Sequence, residues 1–119
     1  MEKVLIIDDN SINLKMASMA LKEVCKPVPV PSGEMALKFL STNRPALVLL
    51  DIEMPDMDGF ETLKAIRKIP DMAELPVIFL SASTDDETRD SALAAGGADY
   101  VVKPFRKEEL LKAVQPHLM

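Results

Sequence analysis

Residues 47–61 read LVLLDIEMPDMDGFE, four apolar residues that run directly into a cluster of carboxylates. A short apolar run of this kind predicts a buried strand, so Asp51 should lie where that strand meets a surface loop. Glu53, Asp56, Asp58 and Glu61 follow within the next ten positions. A buried strand that ends in a charged group raises the question of which other side chains meet Asp51 there.

Four more β-type runs lie along the chain, separated by segments of helix length. With the run above, they cover residues 4–7, 28–30, 46–50, 77–80 and 100–102. Strands that alternate with helices pair in parallel through right-handed crossovers. Runs such as VLII and LVLL are apolar throughout, as interior strands covered on both faces are. The sequence therefore predicts an α/β fold, a doubly wound five-stranded parallel sheet in one domain over residues 1–119.

Amphipathic spacing and cap residues predict five helices. They lie at residues 11–24, 34–40 and 59–69, in a segment opened by a capping box at residues 84–87, and at residues 106–114. Asn10 or Ser11 should cap the first helix, and Ser32 the second. The second strand contains Pro27 and Pro29, which donate no ladder hydrogen bonds, so it should be an edge strand or nearly unpaired.

The amino-acid composition argues against several classes of function. The 119 residues include 19 acidic and 14 basic ones, and the net charge of -5 argues against a nucleic-acid surface. A single cysteine, Cys25, forms no intramolecular disulfide, which fits a reducing cytoplasm. No apolar run is long enough for a signal peptide or a membrane span, so we expect no membrane partner.

Polar side chains follow four of the predicted strands. Asp8 and Asp9 follow the first, Asp51 the third, Ser81 the fourth and Lys103 the fifth. Sites in open α/β sheets form beyond the carboxyl ends of the strands, so these side chains should face one crevice. Clustered carboxylates repel one another unless a cation neutralises them, and oxygen ligands suit Mg²⁺, which often binds substrate phosphate. The sequence therefore predicts a Mg²⁺ and phosphoryl site.

Each of these residues, taken alone, also has a structural interpretation. Asp8 and Asp9 could cap the following helix, Asp51 and Ser81 could be loop residues, and Lys103 could be a solvated lysine. Those separate interpretations do not explain why all of them follow strands, in this order along the chain.

The segments IIDDN, LLDIEMPDMDGFE, LSAS and YVVKPF, in this order and spacing, closely resemble the receiver domain of bacterial two-component response regulators. The resemblance extends from Val4 to about Leu118. It implies a flavodoxin-like (βα)5 fold with strand order 2-1-3-4-5. It also implies that Asp51 is the phosphoacceptor and that Asp8, Asp9, Asp51 and the backbone carbonyl of Glu53 bind Mg²⁺.

Three further residues match the family's phosphoryl-binding and switch positions, and a fourth matches its cis proline. Ser81 matches the hydroxyl that bonds the phosphoryl group, although Thr is commoner there. Tyr100 matches the aromatic switch residue, and Lys103 matches the lysine that acts on the phosphoryl charge. Pro104 follows Lys103, typically through a cis bond.

The resemblance implies phosphorelay signalling. Asp51 would take a phosphoryl group from the phosphohistidine of a sensor histidine kinase or a phosphotransfer protein. The chain would then be no enzyme, but a phosphoacceptor that assists its own phosphorylation and dephosphorylation. The surface of the fourth helix, fifth strand and fifth helix, residues 85–115, would switch and bind an output domain, a partner protein or a second copy, without contacting nucleic acid directly.

Two other functions compete with this one. A haloacid-dehalogenase-type phosphatase also has an Asp after a strand, as in LLDIE, but it needs Asp in place of Glu53 and an acidic pair late in the chain. A pseudo-receiver carries no phosphate and has no need of clustered buried charges. No output domain follows Met119, so we expect either a stand-alone regulator or the receiver of a longer regulator or hybrid kinase.

Overall fold

The computed structural model describes residues 1–119 and contains one five-stranded parallel sheet with the order β2-β1-β3-β4-β5. The strands are β1 (Lys3–Ile7), β2 (Lys26–Val30), β3 (Leu47–Asp51), β4 (Val77–Ser81) and β5 (Asp99–Val102). Each pair of neighbours in the sheet is parallel. The predicted fold class and strand order are confirmed.

Five helices cover the two faces of the sheet: α1 (Ser11–Leu21), α2 (Gly33–Leu40), α3 (Gly59–Arg67), α4 (Asp86–Ala94) and α5 (Lys107–Val114). A 3-10 turn, Gln115–His117, ends the chain's regular structure. None of the helices has the length and apolar character that crossing a membrane requires.

Alternation along the strands divides the core into two apolar clusters, one on each face. Val4 and Ile6 of β1 pack with residues of α1 and α5, whereas Leu5 and Ile7 pack with residues of α2, α3 and α4. All four side chains are fully buried. Burying an aliphatic side chain of this size contributes about 2 kcal/mol, so the helices are attached to the sheet mainly by these contacts.

Strand β2 lies at the edge of the sheet and is paired along its whole length with β1. The Lys26 N–H donates to the Glu2 carbonyl at 2.8 Å, and the Asp8 N–H donates to the Val30 carbonyl at 3.2 Å. In a parallel ladder every second residue bonds to a given neighbour. Pro27 and Pro29 therefore fall at the outward positions, where a missing donor removes no hydrogen bond and discourages pairing with another chain.

Several of the predicted helix boundaries differ from the structure; α3, for example, ends at Arg67 rather than at residue 69. The capping box at residues 84–87 does not form: Asp85, not Thr84, is the N-cap of α4 and accepts from the Glu87 N–H at 3.2 Å. Aspartate is a better N-cap than threonine, and the chain before it is held outside the helix by the Ser83 hydroxyl, which accepts from the Asp85 N–H. Helix α1 ends at Leu21 rather than at residue 24, because the chain turns there into β2.

The caps predicted for the first two helices are confirmed. Asn10 accepts from the backbone N–H groups of Ile12 and Asn13 at the start of α1. The Ser32 hydroxyl accepts from the Met35 N–H at the start of α2.

Candidate functional site

The carboxyl ends of the central strands bring three carboxylates together. Asp8 follows β1 and Asp51 ends β3, and these strands are neighbours with Ile7 opposite Leu50. Asp8, Asp9 and Asp51 each offer a carboxylate oxygen, and these oxygens lie within 4.8 Å of one another. Asp8 and Asp51 are buried, whereas Asp9 is exposed. The sheet topology thus brings together the three carboxylates that were predicted to meet because each follows or ends a strand.

Lys103 reaches the same cluster from the end of β5. Its ammonium group donates to Asp51 Oδ1 at 2.8 Å and to Asp8 Oδ2 at 3.4 Å. The single ammonium group contacts two of the three carboxylates, so the cluster keeps an excess of negative charge. Carboxylate oxygens are the ligands that hard divalent cations prefer, so this donor set fits a bound metal ion.

Burial raises the pKa of Asp51 to about 6, against the hydrogen bond from Lys103, which lowers it. The charge of Asp8 raises this pKa further, the charge of Lys103 lowers it, and the charge of Glu53 raises it. Burial alone would lower the pKa of Lys103, but the hydrogen bond to Asp51 and the charges of Asp51 and Asp8 raise it overall. Lys103 therefore stays protonated, and the ionised form of Asp51 is destabilised in the absence of metal.

Several of the acidic residues also stabilise local structure. Asp8 Oδ1 accepts from the Asn10 N–H at 2.9 Å and so orders the turn into α1, while its Oδ2 faces Lys103. Asp58 and Glu61 form the capping box of α3. Asp8 thus orders the turn before α1 but does not cap the helix, because Asn10 does, and the capping box of α3 accounts for two of the carboxylates in residues 47–61.

Gly59, the first residue of α3, fixes the backbone that carries Asp51. The Gly59 N–H donates to the Ile52 carbonyl at 2.9 Å. A Cβ atom at this position would lie 2.6 Å from the Asp51 carbonyl oxygen and 2.8 Å from Ile52 Cα. Only glycine allows the helix to begin this close to the end of β3.

Ser81 ends β4 beside Asp51, and its hydroxyl is held on two sides. It donates to Glu53 Oε2 at 2.8 Å and accepts from the Ser83 N–H at 3.0 Å. Glu53 Oε1 also accepts from the Ala82 N–H, at 3.2 Å. Sequence reasoning assigned Glu53 a role through its backbone carbonyl only and missed this side-chain contact. Glu53 and Ser81 are 28 positions apart, a separation that matches no helix or turn spacing, so the sequence holds no local signal for this contact.

Tyr100, at the start of β5, is connected to Ser81 through the loop after β4. It is half-buried, and its hydroxyl donates to the Ser83 carbonyl at 2.7 Å. Ser83 thus bonds to Ser81 through its N–H and to Tyr100 through its carbonyl. The Lys103–Pro104 peptide bond is cis.

The comparisons with known proteins agree with this geometry. The family model "Response regulator receiver domain" matches residues 4–115. The chain is 38% identical over 109 residues to the probable transcriptional regulatory protein TcrX of Mycobacterium tuberculosis, covering 91% of this chain and 46% of TcrX. It is 36% identical over 115 residues to a probable cyclic di-GMP phosphodiesterase of Vibrio cholerae, covering 97% of this chain and 26% of that protein.

A solved structure is similar over its whole length. The chemotaxis protein CheY4 of Vibrio cholerae has a TM-score of 0.92 and 33% identity, and the alignment covers 99% of both chains. The family match and this structural likeness argue against the haloacid-dehalogenase alternative. The chain belongs to the family of response regulator receiver domains, which act in two-component signal transduction.

Proposed function

We propose that Asp51 is the phosphoacceptor of this receiver domain, and that it takes a phosphoryl group from the phosphohistidine of a sensor histidine kinase or a phosphotransfer protein. The observation that carries this proposal is the Asp51 carboxylate itself. It is buried at the end of a central strand and held at 2.8 Å by Lys103, with Asp8 beside it. A buried carboxylate among other carboxylates costs stability, and groups of this kind are concentrated at functional sites.

The reaction transfers a phosphoryl group from the imidazole of the histidine to the carboxylate of Asp51. A carboxylate oxygen of Asp51 attacks the phosphorus atom, a P–O bond forms, and the P–N bond to the histidine breaks with its electron pair leaving on the imidazole. Lys103 orients the carboxylate through Oδ1 and offers positive charge where phosphoryl charge is concentrated. The chain is consumed as a reactant, so it is a phosphoacceptor that assists its own modification rather than an enzyme.

Asp8, Asp9 and Asp51, with the backbone carbonyl of Glu53, would hold Mg²⁺ at this site. The proposal is supported by the 4.8 Å cluster of carboxylate oxygens and by the excess of negative charge around Lys103. When bound, Mg²⁺ neutralises charge on the phosphoryl oxygens. Of the three carboxylates that would hold the ion, Asp9 is the exposed one.

Output would use the face formed by α4, β5 and α5. A phosphoryl group that accepts a hydrogen bond from the Ser81 hydroxyl would shift the loop after β4, because Ser83 in that loop bonds to both Ser81 and Tyr100. The resulting change around Tyr100 would alter the binding of an output domain, a partner protein or a second copy of this chain. The net charge of -5 favours protein partners over nucleic acid, and the free thiol of Cys25 is compatible with the cytoplasm, our proposed compartment.

Intact-mass spectrometry after incubation with acetyl phosphate and Mg²⁺ tests the phosphoacceptor. Wild type should gain one phosphoryl group, and Asp51→Asn should gain none, because an amide is a poor nucleophile. Asp56→Asn is a matched control, since Asp56 is an exposed carboxylate of the same loop, and it should be modified like wild type. Undiminished phosphate uptake by Asp51→Asn would contradict the assignment, and no uptake by wild type would favour the pseudo-receiver.

A further inference from the structure

Glu53 is exposed as a residue, yet both of its carboxylate oxygens are bonded to the end of the neighbouring strand β4. Oε2 accepts from the Ser81 hydroxyl at 2.8 Å, and Oε1 accepts from the Ala82 N–H at 3.2 Å. Lys103 does not share this contact, because its ammonium group bonds to Asp51 and Asp8. The Glu53 carboxylate therefore accepts hydrogen bonds from two donors, the Ser81 hydroxyl and the Ala82 N–H, close to the end of β3 that carries Asp51.

The Ser81 hydroxyl is the proposed donor to a phosphoryl group on Asp51, and the Ala82 N–H is the next backbone donor along the chain. This step rests on the proposed function, in which Ser81 bonds the phosphoryl group. A hydroxyl group and a backbone N–H each carry a single proton, so each donates to one anion at a time. A carboxylate and a phosphoryl group both present a pair of anionic oxygens on one central atom, and they compete for this pair of donors.

We propose that the Glu53 carboxylate is an internal anion that occupies the phosphoryl-binding position of Ser81 and Ala82 in the unphosphorylated protein, and that it must leave before a phosphoryl group can bind there. Glu53 then lowers the affinity of the site for phosphoryl ligands, since only the fraction of molecules with this position free can bind them. The same contact fixes the direction of the Ser81 hydroxyl before phosphorylation.

Two substitutions separate occupation of the donors from a simple effect of charge. Glu53→Ala removes both the charge and the contact. Glu53→Asp keeps the charge but shortens the side chain by one methylene group, so the carboxylate no longer spans to Ser81 and Ala82. Neither change removes the backbone carbonyl of Glu53, which the proposed metal site uses.

Beryllofluoride, a mimic of the acyl phosphate, serves as the probe in the presence of Mg²⁺. NMR titration of the amide resonances should give an affinity about tenfold higher for Glu53→Ala than for wild type, which corresponds to about 1.4 kcal/mol. Glu53→Asp should also bind more tightly than wild type. Without the probe, the Ala82 amide resonance should move in both variants, because its acceptor is lost.

Three results would overturn the inference. The first is an unchanged affinity in Glu53→Ala, and the second is a tighter Glu53→Ala with Glu53→Asp as weak as wild type, which would show that charge alone acts. The third is an Ala82 resonance that stays in place in both variants. If wild type takes phosphate on Asp51 and any of these results is found, the inference is wrong while the proposed function stands. If wild type takes no phosphate, both are wrong.

Discussion

Asp51 combines burial with the negative charge of its neighbours, and this combination destabilises the folded protein without metal. Burial, opposed by Lys103 and reinforced by the charges of Asp8 and Glu53, raises the pKa of Asp51 from 3.8 to about 6. A pKa that changes by one corresponds to about 1.4 kcal/mol of free energy. A carboxyl group whose folded pKa is raised costs nothing below its unfolded pKa, and the cost grows as the pH rises from 3.8 to about 6. Above pH 6 the full cost is present, on the order of 3 kcal/mol.

We therefore predict that Asp51→Asn is more stable than wild type in EDTA at pH 7.5, and that this difference shrinks toward pH 4. Removing the buried charge should stabilise the variant by about 3 kcal/mol at most, and the lost ion pair with Lys103 should reduce this gain to about 1 to 3 kcal/mol. Thermal melting at both pH values measures it, and a gain of ~1 kcal/mol raises the midpoint by about 4 °C or more. Mg²⁺ at a hundredfold excess over its dissociation constant should stabilise wild type by about 2.7 kcal/mol, and the variant by less.

Asp71→Asn is the control for this measurement, because Asp71 is exposed and lies outside the acidic cluster. It should melt close to wild type at both pH values. A lower midpoint for Asp51→Asn than for wild type in EDTA, together with no effect of Mg²⁺ on wild type, would show that these carboxylates are structural caps.

The residues of the site differ in how far the sequence reveals them. Asp8, Asp51, Ser81 and Lys103 were placed together because each follows a strand, and parallel strands end at one edge of the sheet. The Glu53 side chain could not be placed in this way. Its contact depends on the path of the loop after β3 and on its rotamer, and neither has a sequence pattern.

At the scale of elements, the sequence predicts those features that depend on the spacing of apolar residues or on the positions of prolines. The edge position of β2 followed from its prolines, and the order of strands and helices followed from the apolar runs. The start of α4 was wrong because Thr84 and Asp85 are both acceptable N-caps. The choice between them depends on the Ser83 hydroxyl, which a tertiary loop conformation positions.

The junction of β3 and α3 is the part of the fold that is most sensitive to a small substitution. We predict that Gly59→Ala destabilises the protein by about 2 kcal/mol, because a Cβ atom at this position overlaps the Asp51 carbonyl and backbone must move. Movement of that backbone also displaces Asp51, so phosphorylation by acetyl phosphate should slow. Urea unfolding and the rate of phosphate uptake measure the two effects.

Lys64→Ala is the matched control, since Lys64 is an exposed residue of the same helix. It should leave the free energy of unfolding within about 0.5 kcal/mol of wild type and the rate of uptake unchanged. A Gly59→Ala variant as stable and as reactive as wild type would show that the junction is more pliable than its close contacts indicate.

At the scale of the whole molecule, the acidic cluster and the β5 edge lie apart on the sheet. The acidic cluster lies at the carboxyl ends of β1 and β3, in the middle of the sheet, whereas β5 forms the edge opposite β2. The loop after β4 connects the two regions, because Ser83 bonds to both Ser81 and Tyr100. The end of β4 therefore has a short hydrogen-bonded route to the β5 edge.

We predict that beryllofluoride with Mg²⁺ changes the amide NMR shifts along α4, β5 and α5 as well as around Asp51, and leaves α2 nearly unchanged. The reason is that an anion at Ser81 disturbs Ser83, and Ser83 holds the hydroxyl of Tyr100 at 2.7 Å. Heteronuclear NMR of the wild-type chain, with and without the ligand, measures this. Ser81→Ala is the control, since it keeps Asp51 but removes the hydroxyl that starts the route, and its shifts should stay near Asp51. Wild-type changes confined to the surroundings of Asp51 would show that the bonded route carries no switch.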